Sequence, residues 1–131
     1  MIVLDENILD SQRLLLQASR VAAKQVGVDC GGKGLPDEQI LVSLRQGRNI
    51  TFFTRDSDFY APDLRHQRYC LVMAAVGQNE AAAFVRRFLR HPGFDTQAKR
   101  MGRVVRLSHV GLAVWCLRAE RESHTAWLVA G

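Results

Sequence analysis

Short apolar runs alternate with helix-forming segments over the first 90 residues, and this alternation is what most constrains the fold. Ile2–Leu4, Ile50–Thr54 and residues 69–76 are rich in aliphatic, β-branched and aromatic side chains, which predicts three buried strands. Apolar strands separated by helices are typical of parallel sheets that are covered on both faces. The sequence therefore predicts an α/β fold with a mainly parallel sheet.

Three helices are predicted around these strands. The first follows Asp10 and Ser11, carries apolar residues at helical spacing over 14–26, and ends at Gly27. The second begins at Pro36 with acids in its first turn and continues to about residue 45. The third covers about 79–90, after which a His-Pro-Gly sequence ends it. Residues 55–60 are predicted to form a turn after the second strand.

The C-terminal part has a different pattern. Residues 103–107, 110–118 and 125–129 are predicted to be β segments, the last 30 residues forming an antiparallel hairpin that closes one sheet edge. A chain of 131 residues fits one domain, 1–131, with a C-terminal β extension over about 103–131. No apolar stretch approaches the ~20 residues of a membrane span, and acids stand where a signal peptide has basic residues. We therefore expect a soluble cytoplasmic protein without membrane contact.

Residue spacing argues against several common kinds of site. Cys30, Cys70 and Cys116 form no C-x-x-C pair and no cluster with histidine, so we expect reduced, mostly buried thiols rather than disulfides or a zinc site. No serine has the G-x-S-x-G context of a serine hydrolase, and the glycines at 31–34 lack the order of a nucleotide-binding P-loop.

Acidic and amide side chains follow the first two strands and begin the helix that leads into the second. The carboxyl ends of parallel strands meet at one edge of a sheet, so three segments can bring carboxylates together there. Such carboxylates repel one another unless a cation binds, and all-oxygen ligation suits Mg²⁺ or Mn²⁺. Alternatively, the helix-start acids only complement the helix dipole and the others are ordinary turn residues. The candidates are Asp5, Glu6, Asn7, Asp37, Glu38, Asp56 and Asp58.

Three motifs carry a resemblance to a known family. They are VLDEN at 3–7, GLPDEQIL at 34–41 and FTRDSDF at 53–59, and their order and spacing are those of the family. Over about residues 1–90 the chain resembles the PIN-like nuclease domains, in particular the short prokaryotic subgroup related to the toxin ribonucleases of toxin–antitoxin pairs. The resemblance implies a three-layer α/β/α fold of the PIN-like type.

The resemblance also implies a metal-dependent endoribonuclease that hydrolyses RNA with Mg²⁺ or Mn²⁺. Asp5, Asp37 and Asp56 would be the metal ligands, and Asp58 would support the metal or its waters. Thr54 and Asn7 would orient a carboxylate or water by hydrogen bonding. Arg55 would contact a phosphate, unless it is only a local charge partner of the acids. A toxin would further have a small antitoxin protein as partner and would commonly be a homodimer.

The chain departs from the family at one point. Many PIN-like domains carry a further acid, usually Glu, on a helix between the first strand and the position of Asp37, and between residues 10 and 37 this chain has only Asp29. Glu6 or Glu38 could replace that acid. The alternative is a catalytically inactive PIN-like module that binds RNA or a partner protein.

Charge is distributed unevenly along the chain, whose net charge is +5. Residues 1–60 carry seven basic and eight acidic side chains, a net charge of −1, whereas residues 61–131 carry eleven and five, a net charge of +6. A basic surface of this kind can follow a phosphate backbone, or it can simply be a solvated helix face. The candidate RNA-binding residues are Arg86, Arg87, Arg90, Lys99 and Arg100, followed by Arg103 and Arg106.

Overall fold

The computed structural model describes residues 1–127. The strands are β1 (Ile2–Leu4), β2 (Ala23–Gln25), β3 (Ile50–Thr54), β4 (Tyr69–Ala74), β5 (Val104–Ser108), β6 (Gly111–Trp115) and β7 (Ser123–Thr125). The helices are α1 (Asp10–Ala18), α2 (Asp37–Gln46), α3 (Ala81–Arg90) and α4 (Gln97–Arg100), with two short 3₁₀ turns at Ser57–Phe59 and Pro62–Leu64. No helix of the described residues is long and apolar enough to cross a membrane.

The strands form one seven-stranded mixed sheet in the order β2-β1-β3-β4-β5-β6-β7. The first five strands in this order are parallel, and β6 and β7 are antiparallel to their neighbours. The prediction of an α/β fold with a mainly parallel sheet and an antiparallel C-terminal edge is therefore confirmed. The carboxyl ends of β1, β3, β4 and β5 lie at one edge, which we call the carboxyl edge, and their starts lie at the opposite amino edge.

Helices cover both faces of the sheet. On one face, called the α3 face, Leu16 of α1 and Phe88 of α3 pack with strand residues such as Phe53. On the other, called the α2 face, Leu44 of α2 packs with strand residues such as Phe52. Consecutive strand residues alternate between these faces because side chains in a strand point to opposite sides. Each core strand is therefore buried on both faces.

The prediction of the first helix is wrong for the second half of that segment. Helix α1 ends at Ala18, Arg20 takes a left-handed conformation with φ 64°, and Ala23–Gln25 form a strand that pairs in parallel with Ile2–Leu4. The helical spacing and the good helix formers at 22–25 do not decide this segment, because pairing with β1 outweighs local helix propensity.

Other boundaries differ less. Helices α2 and α3 and strand β3 lie where they were predicted, whereas β4 ends at Ala74 and the unpredicted helix α4 precedes β5. The last strand is Ser123–Thr125 rather than 125–129, and residues 128 and 129 of that prediction lie outside the described residues. All three cysteines are free, but only Cys70 is fully buried.

Candidate metal centre

Three carboxylates converge at the carboxyl edge. One oxygen from each of Asp37, Asp56 and Asp58 lies within 4.8 Å of the others, and we call these residues the acidic triad. Asp37 is the first residue of α2, and the other two follow β3. The predicted meeting of the helix-start acid with the acids after the second strand is therefore observed.

The turn after β3 gives the triad its geometry. Asp56 caps the 3₁₀ turn, and its Oδ1 accepts a 2.9 Å hydrogen bond from the backbone N–H of Asp58. The backbone N–H of Asp56 donates to Oγ1 of Thr54 at 3.0 Å. These bonds fix the turn that carries two of the three carboxylates, so Thr54 positions the triad without being part of it.

Asp5, predicted as a metal ligand, is not one of the three clustered carboxylates, although its charge interacts with those of Asp37 and Asp56, and its role as a ligand stays a prediction. It is only 6% exposed, and both its oxygens accept short hydrogen bonds: Oδ2 from the Thr54 hydroxyl at 2.6 Å and Oδ1 from the Glu6 N–H at 2.8 Å. A buried carboxylate needs donors, and these two hydrogen bonds supply them. Asp5 therefore holds Thr54, which in turn holds Asp56.

Gln25 supports Asp5 from β2 and was not recognised from the sequence. Its side chain is 1% exposed, and its amide donates to the backbone carbonyls of Asp5 at 3.1 Å and Ile8 at 2.7 Å. The bonds fix the loop after β1. Because the sequence pattern had assigned Gln25 to a helix, no signal in the chain indicated this role.

The other residues predicted for the site differ in their hydrogen-bond partners and in their exposure. Both oxygens of Glu6 accept from the backbone N–H of Gly34, at 2.9 and 3.2 Å, which fastens the glycine-rich loop beside the site. Arg55 donates through Nε to the carbonyl of Val76 at 3.1 Å, joining the ends of β3 and β4. Asn7 and Glu38 are exposed. Glu6 and Arg55 thus have structural partners within the chain.

The carboxylates of this edge share one electrostatic field. Burial raises the pKa of Asp5 above its ordinary value, against the hydrogen bonds from Thr54 and Glu6, and the charges of Glu6 and Asp56 raise it further. The pKa of Asp37 is also raised, first by burial and then by the charges of Asp56, Asp5 and Asp58. A divalent cation would remove this repulsion, and a donor set made only of carboxylate oxygens fits Mg²⁺ or Mn²⁺.

The predicted basic residues on α3 and just after it do not adjoin the triad. After β4, helix α3 runs back toward the amino edge, so Arg86, Arg87 and Arg90 lie progressively farther from the carboxyl edge. Lys99 is paired with Asp95 at 2.8 Å. These side chains therefore form a surface separate from the site, on the α3 face and toward the amino edge.

Arg100 was predicted to bind RNA, but it lies in the interior of the protein rather than on its surface. It is 6% exposed, with Nε donating to Oγ1 of Thr51 and Nη1 donating to the carbonyl of Phe94, both at 2.9 Å. Its guanidinium is occupied by the fold and cannot contact a phosphate.

Comparisons with protein families, with curated proteins and with solved structures find no match for this chain. The support for a function therefore consists of the geometry at the carboxyl edge together with the sequence motifs.

Proposed function

We propose that the chain is a Mg²⁺- or Mn²⁺-dependent endoribonuclease with a PIN-like three-layer α/β/α fold. The single observation that supports this function best is the acidic triad at the carboxyl edge of a mainly parallel sheet. Ligands of open α/β sheets bind at this edge, and clustered carboxylates are the protein groups that serve phosphodiester hydrolysis with Mg²⁺. The PIN-like motifs that contain Asp5, Asp37, Asp56 and Asp58 agree with it.

The carboxylates and their supporting residues divide the proposed reaction, and Asp58 is a candidate for two parts of it. Asp37, Asp56 and Asp58 would hold the cation, which when bound supplies positive charge for the phosphate under attack. Asp5 and Thr54 keep Asp56 and its turn in place through their hydrogen bonds. A carboxylate beside the attacking water accepts its proton, and Asp58 and Glu38 are the candidates for this step.

The resemblance to toxin ribonucleases extends the proposal to partners. A small antitoxin protein would cover the acidic triad, with an Arg side chain placed among the carboxylates, because bidentate Arg–carboxylate pairs are strong and specific. We also propose a homodimer. Co-purification with the product of a neighbouring small gene, and sedimentation equilibrium of the isolated chain, test the two proposals separately.

Cleavage of a mixed RNA pool tests the enzymatic proposal. Wild type is compared with Asp37→Asn and Asp56→Asn, first in Mn²⁺ and then in Mg²⁺, with EDTA as the blank. Asp63→Asn is the matched control, because Asp63 is an exposed acid on the next turn of the chain. We expect cleavage by wild type and the control, and a loss of at least about 100-fold in the triad variants.

Unchanged cleavage by folded Asp37→Asn and Asp56→Asn proteins contradicts the proposal, as does the absence of wild-type cleavage in both metals.

One observation favours the second candidate, an inactive PIN-like module that binds RNA or a protein. Helix α1 supplies no carboxylate to the triad among the described residues: its Asp10 is exposed and pairs with Arg13 at 3.6 Å. This is the helix on which many relatives place a further acid. RNA binding that EDTA leaves unchanged, without cleavage in either metal, would select this candidate.

A further inference from the structure

A row of residues leads across the sheet from Thr54, whose Oγ1 accepts from the N–H of Asp56 in the triad. Strand register aligns Thr54 of β3 with Met73 of β4, then Arg106 of β5, Ala113 of β6 and His124 of β7. Residues in one such row point to the same face, and alternation from the buried residues of β3–β5 assigns this row to the α2 face. Neighbouring strands lie about 4.8 Å apart, so Arg106 is roughly 10 Å from Thr54 along the row.

The α2 face is open in this region. Its buried core ends on β5 at Val104, and Arg106, the next residue of β5 on the same face, is exposed. A cleft of about 290 Å³ follows on β5–β7, where Arg106, Ser108, Ala113 and His124 contribute to its lining. Thr54 and Met73 are buried, so the row becomes accessible to solvent only at Arg106, which lines the cleft.

Tyr60 and Glu122 contact two residues that line this cleft, Arg106 and His124. Tyr60 follows the turn that carries Asp58, and its hydroxyl donates to Oε2 of Glu122 at 2.5 Å. The other oxygen, Oε1, lies 3.0 Å from Nε2 of His124. The guanidinium carbon of Arg106 lies 5.7 Å from the centre of the Tyr60 ring. Glu122 is thus engaged on both oxygens.

Arg106 keeps a free positive charge as a result. Among residues 1–127 it makes no ion pair, although Glu122 is bound to its immediate neighbours. An exposed, unpaired guanidinium beside a cleft is suited to a phosphate, because its planar fork matches phosphate oxygens. His124 also lines this cleft, with its Nε2 held 3.0 Å from Oε1 of Glu122.

We infer that this cleft binds single-stranded RNA, with Arg106 contacting a phosphate that flanks the bond cleaved at the triad. The inference rests on the proposed nuclease function, which puts the cleaved bond of the RNA at the triad and so directs the RNA strand from there toward Arg106. The RNA path thus follows the C-terminal strands rather than the basic surface of α3, which lies on the other face.

The test measures RNA affinity apart from cleavage. A fluorescently labelled uridine oligonucleotide is titrated in EDTA with wild type, Arg106→Gln and Arg106→Lys, at several salt concentrations. Arg48→Gln is the matched control, because Arg48 is also exposed but precedes β3 at the amino edge. We expect Arg106→Gln to weaken binding about five- to tenfold and to lower the salt slope by about 0.7, and Arg106→Lys to recover most of the affinity.

The outcomes separate this inference from the nuclease proposal. Equal affinities of Arg106→Gln and Arg48→Gln, or no oligonucleotide binding by wild type, overturn the RNA path even if the protein cleaves RNA. A loss of RNA affinity in Arg106→Gln but not in Arg48→Gln supports the RNA path. This holds even if no cleavage is found in Mn²⁺ or Mg²⁺, because that result contradicts only the proposed nuclease function. In an active enzyme the same variant is expected to raise KM rather than lower kcat.

Discussion

The acidic triad predicts that Mn²⁺ stabilises the protein against heat and that Asp56→Asn removes the effect. Asp56 shares carboxylate contacts within 4.8 Å with two other acids, so its loss takes away one ligand and two repulsive pairs. Asn retains the oxygen that accepts from the N–H of Asp58, so the turn is preserved. The substitution should therefore change the electrostatics of the site without unfolding it.

The size of the effect can be worked out from mass action. At a cation concentration 100 times Kd, binding adds about 2.7 kcal/mol to the free energy of unfolding. A chain of 131 residues has an unfolding entropy of about 0.28 kcal/mol/K, so the expected rise in Tm is about 10 °C. Without metal, Asp56→Asn should melt a few degrees above wild type, because each removed pair costs about 1 kcal/mol at the dielectric of water.

Circular dichroism melts after dialysis against EDTA, with and without added Mn²⁺, measure both quantities. Asp63→Asn serves again as the control and should behave as wild type in both conditions. The two expected changes in Asp56→Asn have opposite signs, a higher metal-free Tm and a lost response, and a misfolded variant would not produce both. Equal Mn²⁺ shifts in Asp56→Asn and wild type would refute the assignment of the triad as the metal site.

Three further predictions concern the supporting residues. The raised pKa of Asp5 favours its protonated form in the folded state. Its contribution to stability is therefore full below the unfolded pKa near 4 and is lost as pH rises through the folded pKa. Urea titrations without metal should show this loss of stability, and Asp5→Asn should reduce it. Arg100→Met should cost about 2–4 kcal/mol in urea, because it leaves Thr51 and a buried carbonyl unpaired, and a cost under about 0.5 kcal/mol would contradict the buried role. Gln25→Ala should cost about 2 kcal/mol through two lost hydrogen bonds and should weaken the Mn²⁺ response, whereas an unchanged response would show that Gln25 does not position the site.

Local sequence patterns were enough to predict strand β3 and helix α2, which position the three acids of the triad. The run Ile50–Thr54 is β-branched and aromatic, and Pro36 followed by two acids marks the start of α2. Both signals depend on residues adjacent in sequence, so no tertiary information was needed. The topological rule that strand ends share an edge then predicted that Asp37 and Asp56 approach each other.

The missed features depend on partners far away in the sequence. Strand β2 exists because Ala23–Gln25 pair with β1, and Arg100 is buried because Thr51 and Phe94 accept its hydrogen bonds. The place of Asp5 behind the triad likewise follows from the Thr54 hydroxyl, 49 positions away. Composition and periodicity carry no information about such pairings, so these features could be found only in the folded chain.

Strands β5 and β6 belong to the core rather than to an appendage of the motif-bearing segment. Val105 and Leu107 of β5 are completely buried and pack in the same cluster as Phe53 and Val72. Without β5, strand β4 would become an unpaired edge, and its buried apolar residues would face water. The segment that resembles the PIN-like family therefore needs residues beyond 90 to complete its sheet. The pairing of β5 with β4 also aligns Arg106, through Met73, with Thr54. The same pairing therefore completes the core and forms the proposed RNA path.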